Sequence, residues 1–288
     1  MFSDVLLTVD FDRTMTAKDS TIPQENLRAV RWFMENGGSF TVNTGRSVPM
    51  SEFFRDRVPV NAPLLLYNGS AAYDLERREF DFCHTLPLPV RETVQETMAA
   101  FPDLHVEIQS RDAHVALRED QQWEAFCRAN NCPCRVAGEG EDPGPFVKLS
   151  LYGTLQDTTV AQLYGGTEAE IARMDRAEAW LKERYGDKID VYRVAKQIID
   201  CHARNTSKGI AARELQARLG KKLLVCVGDE QNDLSMLEMA DYAFVPGDSP
   251  LAGRFETVCA CDDGAVAEVI FKKIPEILKK SLDKRADP

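Results

Sequence analysis

Asp10 and Asp12 stand two apart at the end of a short apolar run, VLLTVDF, where the two-residue period of a strand turns both side chains to one side. Carboxylates that close repel by about 4 kcal/mol at a separation of 4 Å and an effective dielectric of 20, so keeping both ionised requires a cation or a shared proton. Taken alone, Asp-x-Asp-x-Thr is equally a turn-capping pair. Asp229 and Asp233 in VGDEQND supply a second acidic loop, again between a buried apolar run and a helix; helix capping accounts for one of these acids but not both. Strand ends converge in a parallel sheet, and three or four carboxylates at one mouth make a hard oxygen site that suits magnesium better than a transition metal. The opposite sign comes from Thr44, Gly45 and Arg46, whose hydroxyl, open backbone and guanidinium can all meet phosphate oxygens, and from Lys208 at a helix start. Together these groups have the make-up of a phosphoryl-transfer site.

The elements that must position them follow from the apolar pattern. VLLTVDF predicts a strand, Leu27, Val30, Phe33 and Met34 a helix that Gly37 and Gly38 stop, and SFTVNTGR and APLLLYNG two more strands ending in polar turns. The rhythm returns late, with a helix from Ser207 to Gly220, the strand KLLVCVG, the helix NDLSMLEMA, the strand YAFVP and a last helix over roughly 265–282. Between them the texture changes: RETVQETMAAF and TEAEIARMDRAEAWLKERYG read as helices, the latter with a Thr167–Glu170 capping box, and LHVEIQ, HVALR and FVKLSLYG as strands. The fold class expected is therefore α/β, a Rossmann-like parallel-sheet core of residues 1–86 and 196–288 with an α+β block, 87–195, inserted into it.

Length and composition agree with two units: 288 residues exceed what one hydrophobic core usually spans, and 44% hydrophobic with 28% charged residues is ordinary for a globular protein. A net charge of −11 argues against nucleic acid as a partner. No apolar stretch reaches the length of a membrane helix and the N-terminal residues do not read as a signal peptide, so a cytoplasmic protein with no membrane partner is expected, as a monomer or small homo-oligomer. The eight cysteines read as reduced thiols. Cys127, Cys132 and Cys134 begin a zinc pattern, but without Cys-x-x-Cys or a spaced second pair zinc is disfavoured, and His84, His105, His114 and His202 lack ligand spacing. Trp32, Trp123 and Trp180 fall in helical segments and read as packing. No Gly-x-x-x-x-Gly-Lys-Ser/Thr loop occurs, which disfavours a P-loop enzyme.

In order along the chain, DFDRT at 10–14, TGR at 44–46, Lys208 and GDEQND at 228–233 resemble the four motifs of the haloacid dehalogenase superfamily, and DDGAVAEVI at 262–270 resembles a stretch of its Cof-type phosphatases. The resemblance implies that Asp10 is a nucleophile forming an aspartyl phosphate and Asp12 the acid and then the base, with Thr44 and Lys208 on the phosphoryl oxygens. It implies Mg2+ on the Asp10 carboxylate, the Asp12 carbonyl and Asp229, supported by Asn232 and Asp233. Asn68 and Gly69 match a family pair near the substrate. About thirty residues separate Thr14 from Thr44 but more than a hundred and fifty separate Arg46 from Lys208, so the inserted block matches the α/β cap of class II, subclass B. Such a cap would exclude stray water and select the leaving group. One departure is Arg13, where the family usually has glycine.

The function expected is hydrolysis of a small phosphorylated metabolite, a sugar or polyol phosphate. The same residues would serve a phosphotransferase or mutase, and a silent sugar-phosphate-binding protein is the rival from another class; a proton donor at Asp12 has no use in a mere binder.

Overall fold

The computed structural model describes residues 1–286. Its first stretch holds β1 (Val5–Val9), α1 (Gln24–Glu35), β2 (Ser39–Val42), α2 (Val48–Ser51), α3 (Phe54–Arg57), β3 (Leu64–Leu66), β4 (Ala71–Asp74) and β5 (Glu79–Cys83). The middle holds α4 (Val90–Ala100), β6 (His105–Gln109), β7 (His114–Ala116), α5 (Gln121–Ala129), β8 (Cys134–Val136), β9 (Lys148–Tyr152), α6 (Glu168–Tyr185), β10 (Ile189–Ala195) and β11 (Ile198–Ala203). The last stretch holds α7 (Lys208–Arg218), β12 (Leu223–Val227), α8 (Leu234–Met239), β13 (Tyr242–Val245), β14 (Glu256–Thr257), α9 (Ala265–Glu268) and α10 (Ile274–Ala286), the last two joined by a wide helical turn at Val269–Lys273. Among the described residues no helix is long and apolar enough to cross a membrane.

Two compact units form, one from residues 1–45, 53–81 and 207 onward, the other from 46–52 and 82–206. The boundaries expected at 86/87 and 195/196 thus fall at 81/82 and 206/207. Leu86 and Leu88 pack into the apolar core of the second unit, and β11, expected on the core side, pairs antiparallel with β10 and β9 inside that unit.

The first unit is built on a parallel sheet in the order β14-β13-β12-β1-β2. All five residues of β1 are buried, as expected where both faces of a parallel sheet are covered. Leu27, Val30 and Phe33 of α1 are buried too, the stripe that the helical period predicts. β1 has β2 on one side and β12 on the other, the switch in strand order beside which open parallel sheets place their sites, at the carboxyl ends of the strands. Strands β3, β4 and β5 make a small separate sheet in that order, with β3 and β4 antiparallel.

In the second unit six strands run in the order β10-β11-β9-β6-β7-β8, antiparallel except for the β7–β8 pair. Ile108, Leu149, Leu151 and Ile199 pack with Val94 of α4 and Met174, Ala177 and Leu181 of α6 into one apolar core. The capping box expected at Thr167 and Glu170 starts α6. Alternate residues carry a buried polar row, with Glu107, Ser150 and Asp200 in register across β6, β9 and β11.

Candidate active site

Asp10 follows β1 directly, its N–H donating to the Val227 carbonyl at 2.9 Å, which fixes the end of β1 beside that of β12. Asp229 and Asp233 follow β12 through the turn that opens α8. Lys208 is the first residue of α7, with Ser207 as N-cap accepting from the Ile210 N–H. These four side chains come together: Lys208 Nζ donates to Asp10 Oδ1 at 2.5 Å and to Asp233 Oδ1 at 2.6 Å. Oxygen atoms of Asp10, Asp229 and Asp233 lie within 4.8 Å of one another, all buried. Asp233 Oδ2 also accepts from the Asp229 and Glu230 N–H groups, and Thr14 Oγ1 donates to Asp229 Oδ1 at 3.0 Å.

One ammonium among three buried carboxylates leaves the cluster short of positive charge. Burial and the neighbouring Asp233 raise Asp10 well above the usual carboxylate range against the opposing pull of Lys208, and burial with Asp233 lifts Asp229 to about 7. Lys208 shifts upward: burial disfavours its charge, but Asp10 and Asp233 outweigh that and keep it an ammonium. A hard divalent cation, which takes carboxylate oxygens, would supply the missing charge.

The β2 and β3 ends approach the same cluster through the backbone. Thr44 donates its N–H to the Leu65 carbonyl at 2.9 Å, and the Asn68 N–H donates to the Thr44 carbonyl at 3.0 Å. Gly45 and Gly69 are there for space. A Cβ on Gly45 would fall 2.8 Å from Asn68 Oδ1, and one on Gly69, whose φ is +94°, would fall 2.2 Å from the Ser207 carbonyl oxygen. So the turn after β3 sits hard against the start of α7, and a side chain at Gly69 would push Lys208 away. Asn43 adds a direct tie, its Nδ2 donating to the Lys208 carbonyl at 2.9 Å.

Asp12 is half-buried in the tight turn after β1, and Asn232 is half-buried in the turn after β12. Arg46 groups with the second unit, in the segment 46–52. Arg13 takes a left-handed conformation, φ +62°, with its N–H on Thr16 Oγ1 at 3.0 Å. The family's glycine position therefore keeps its glycine-like backbone, at a cost of about 1–2 kcal/mol for a residue with a side chain.

Three contributors escape the sequence reading as site residues. Thr14 lies within DFDRT, so its place in the motif was the available signal. Asn43 is an amide at the end of an apolar strand, a weaker signal. Ser249, whose Oγ donates to the Asp229 carbonyl at 2.6 Å, carries none.

Comparison with known proteins bears on this geometry. Residues 7–250 match a family model described as haloacid dehalogenase-like hydrolase. The 5-amino-6-(5-phospho-D-ribitylamino)uracil phosphatase YitU of Bacillus subtilis is 21% identical over 248 residues, 84% of this chain and 86% of the relative. A haloacid dehalogenase-like hydrolase from Bacteroides thetaiotaomicron superposes with a TM-score of 0.77 at 19% identity, covering 94% of this chain and 98% of the other. A subclass IIB sugar phosphatase superposes with a TM-score of 0.71 at 16% identity, over 92% and 97% of the two chains.

Proposed function

The chain belongs to the haloacid dehalogenase-like hydrolases, as a Cof-type phosphatase, and on that footing we propose that it is a magnesium-dependent phosphomonoester hydrolase working through Asp10. The observation that carries the reading is the buried Asp10–Lys208–Asp233–Asp229 cluster at the carboxyl ends of β1 and β12.

An oxygen of Asp10 bonds to phosphorus as the bond from phosphorus to the ester oxygen breaks, and Asp12 gives that oxygen its proton. Asp12, now a carboxylate, takes a proton from a water whose oxygen attacks the same phosphorus. The Asp10–phosphorus bond breaks, phosphate leaves, and both carboxyl groups return to their starting states. Lys208 and Thr44 hold the phosphoryl oxygens, with Gly45, Arg46, Asn68 and Gly69 lining the rest of the substrate site. Three buried carboxylates facing one ammonium fit a hard divalent cation. Magnesium, held by the Asp10 carboxylate, the Asp12 carbonyl and Asp229 with Asn232 and Asp233 in support, would offset negative charge gathering on the phosphoryl group.

A sugar or polyol phosphate is the substrate class we favour, because one relative's name specifies a ribityl phosphate and one structural neighbour is a sugar phosphatase. We assign phosphate chemistry to the unit of residues 1–45, 53–81 and 207 onward, and choice of leaving group to the other unit, the cap. Eight free cysteines accord with a reducing, cytoplasmic setting.

Purified protein with magnesium should hydrolyse p-nitrophenyl phosphate, and Asp10→Asn should abolish it; robust activity in that variant overturns the mechanism. A screen of phosphorylated sugars and polyols, read for free phosphate against isomerised product, separates water from a hydroxyl as the final acceptor.

A further inference from the structure

A second buried set of ligand atoms lies within the second unit. Cys127 is in the last turn of α5 and Cys132 in the turn after it, with the Cys132 N–H on the Cys127 carbonyl at 2.9 Å. Cys134 begins β8, where the parallel ladder makes it the registered partner of His114 on β7. Registered neighbours project from the same face of a sheet, so Cys134 stands beside His114 on the face that His114 turns to the two thiols at the end of α5. A ring nitrogen of His114 and the sulfurs of Cys127 and Cys132 lie within 4.8 Å of one another, all three residues buried. Burial and the neighbouring Cys127 raise the Cys134 thiol to about 11.

The ring is oriented from its far side. Its Nδ1 meets Glu107 at 3.1 Å, and Glu107 is itself held by Trp123 Nε1 at 2.5 Å, Tyr152 OH at 2.8 Å and Gln109 Nε2 at 2.7 Å. Nε2 is then the atom left for a ligand; its present partner, Ser47 Oγ at 3.0 Å, is a hydroxyl that can rotate away. A carboxylate on the outer nitrogen of a histidine is the support that metal-binding imidazoles usually have. Three soft thiolates and one imidazole in a closed, buried place suit Zn2+ in a structural, four-coordinate site rather than a catalytic one.

We propose that His114, Cys127, Cys132 and Cys134 form a structural zinc site that ties the end of α5 to the β7–β8 edge. On binding, the thiols and Nε2 surrender their protons to solvent and no electron changes hands. The spacing Cys127-x4-Cys132-x-Cys134 lacks a Cys-x-x-Cys pair, which is why the sequence argues against zinc; the β7–β8 register supplies the missing fourth ligand.

The full chain, purified under reducing conditions from zinc-supplemented medium and dialysed, should retain one equivalent of zinc by elemental analysis. Cobalt(II) exchanged into it should show a sulfur-to-cobalt charge-transfer band and the intense visible bands of a tetrahedral site. Cys127→Ser and His114→Gln should lose both signals. Cys134→Ser, at a half-buried position that spares the fold, should weaken zinc retention severalfold and shift the cobalt bands with circular dichroism unchanged. Asp229→Asn should retain zinc, which separates this site from the acidic cluster. The proposal is overturned if cobalt adds without a charge-transfer band, if zinc is lost in Asp229→Asn but kept in Cys127→Ser, or if the purified chain holds a Cys127–Cys132 disulfide instead.

Discussion

Two buried carboxylate clusters, one in each unit, are built on opposite terms. Around Glu107 the carboxylate itself is fully partnered: burial alone would push its carboxyl up, but the His114 charge and the donors on Gln109 and Trp123 hold it down at about 2. Around Asp10 the balance is left open, with acids outnumbering the one buried lysine and their protons held more tightly than usual. A saturated cluster of this kind contributes to a specific fold, whereas an unsaturated one destabilises the apo protein and is kept where a cation and an anionic substrate complete it.

The contrast can be broken at several points. Lys208→Met should have the largest effect, lowering kcat by about 10²–10³-fold through loss of a donor aimed at the phosphoryl group. It should also cost about 3–5 kcal/mol in urea unfolding, since Asp10 and Asp233 lose their buried partner. A variant of near wild-type kcat would mean that Lys208 only neutralises charge. Glu107→Gln should cost about 3 kcal/mol by the same logic, because His114 loses its counter-charge; an unchanged urea midpoint would show that the second cluster is not saturated after all. Asp229→Asn should run the other way, stabilising the chelator-treated protein by about 1 kcal/mol while removing magnesium-dependent turnover. Destabilisation under chelator would erase the distinction between the clusters.

The one effect read through pH rather than through activity concerns a buried base. Burial pushes His202 down to about 3, so between about pH 6.5 and 3 the unfolded chain takes up a proton that the folded chain does not. Stability should fall as pH drops below 6.5, by up to about 1.4 kcal/mol per pH unit from this group. Urea midpoints from pH 7 to 5 should therefore fall less steeply in His202→Gln than in the parent, and equal slopes would remove His202 from the account.

Much of the candidate site is legible in sequence because each part is local: a buried run, then a polar turn with Asp10, Thr44 or Asp229 in it. The second unit hides its logic. Glu107, Lys148 and Asp200 alternate with apolar neighbours, yet all are buried, because alternation shows that two faces differ and not that one of them is wet. The Ile198–Ala203 run reads as core because the turn joining it to β10, at Lys196 and Gln197, carries no glycine or asparagine to mark a hairpin. The meeting of His114 with Cys127 and Cys132 depends on strand register, which no spacing within the sequence encodes.

The position of β1 between β2 and β12 also sets a timetable. Thr8 on β1 touches Cys226 on β12, 218 residues further along. At a synthesis rate of roughly 5–20 residues per second, a nascent β1 waits on the order of 10–40 s for that neighbour. Residues 82–206 emerge as one continuous stretch in the interval and have all their own strand partners to hand. The inserted unit can therefore be finished first, before Lys208, Asp229 and Asp233 have emerged to join Asp10. Contacts of such long range slow the closing step of folding, so the Asp10–Lys208–Asp229–Asp233 cluster is assembled last and all at once.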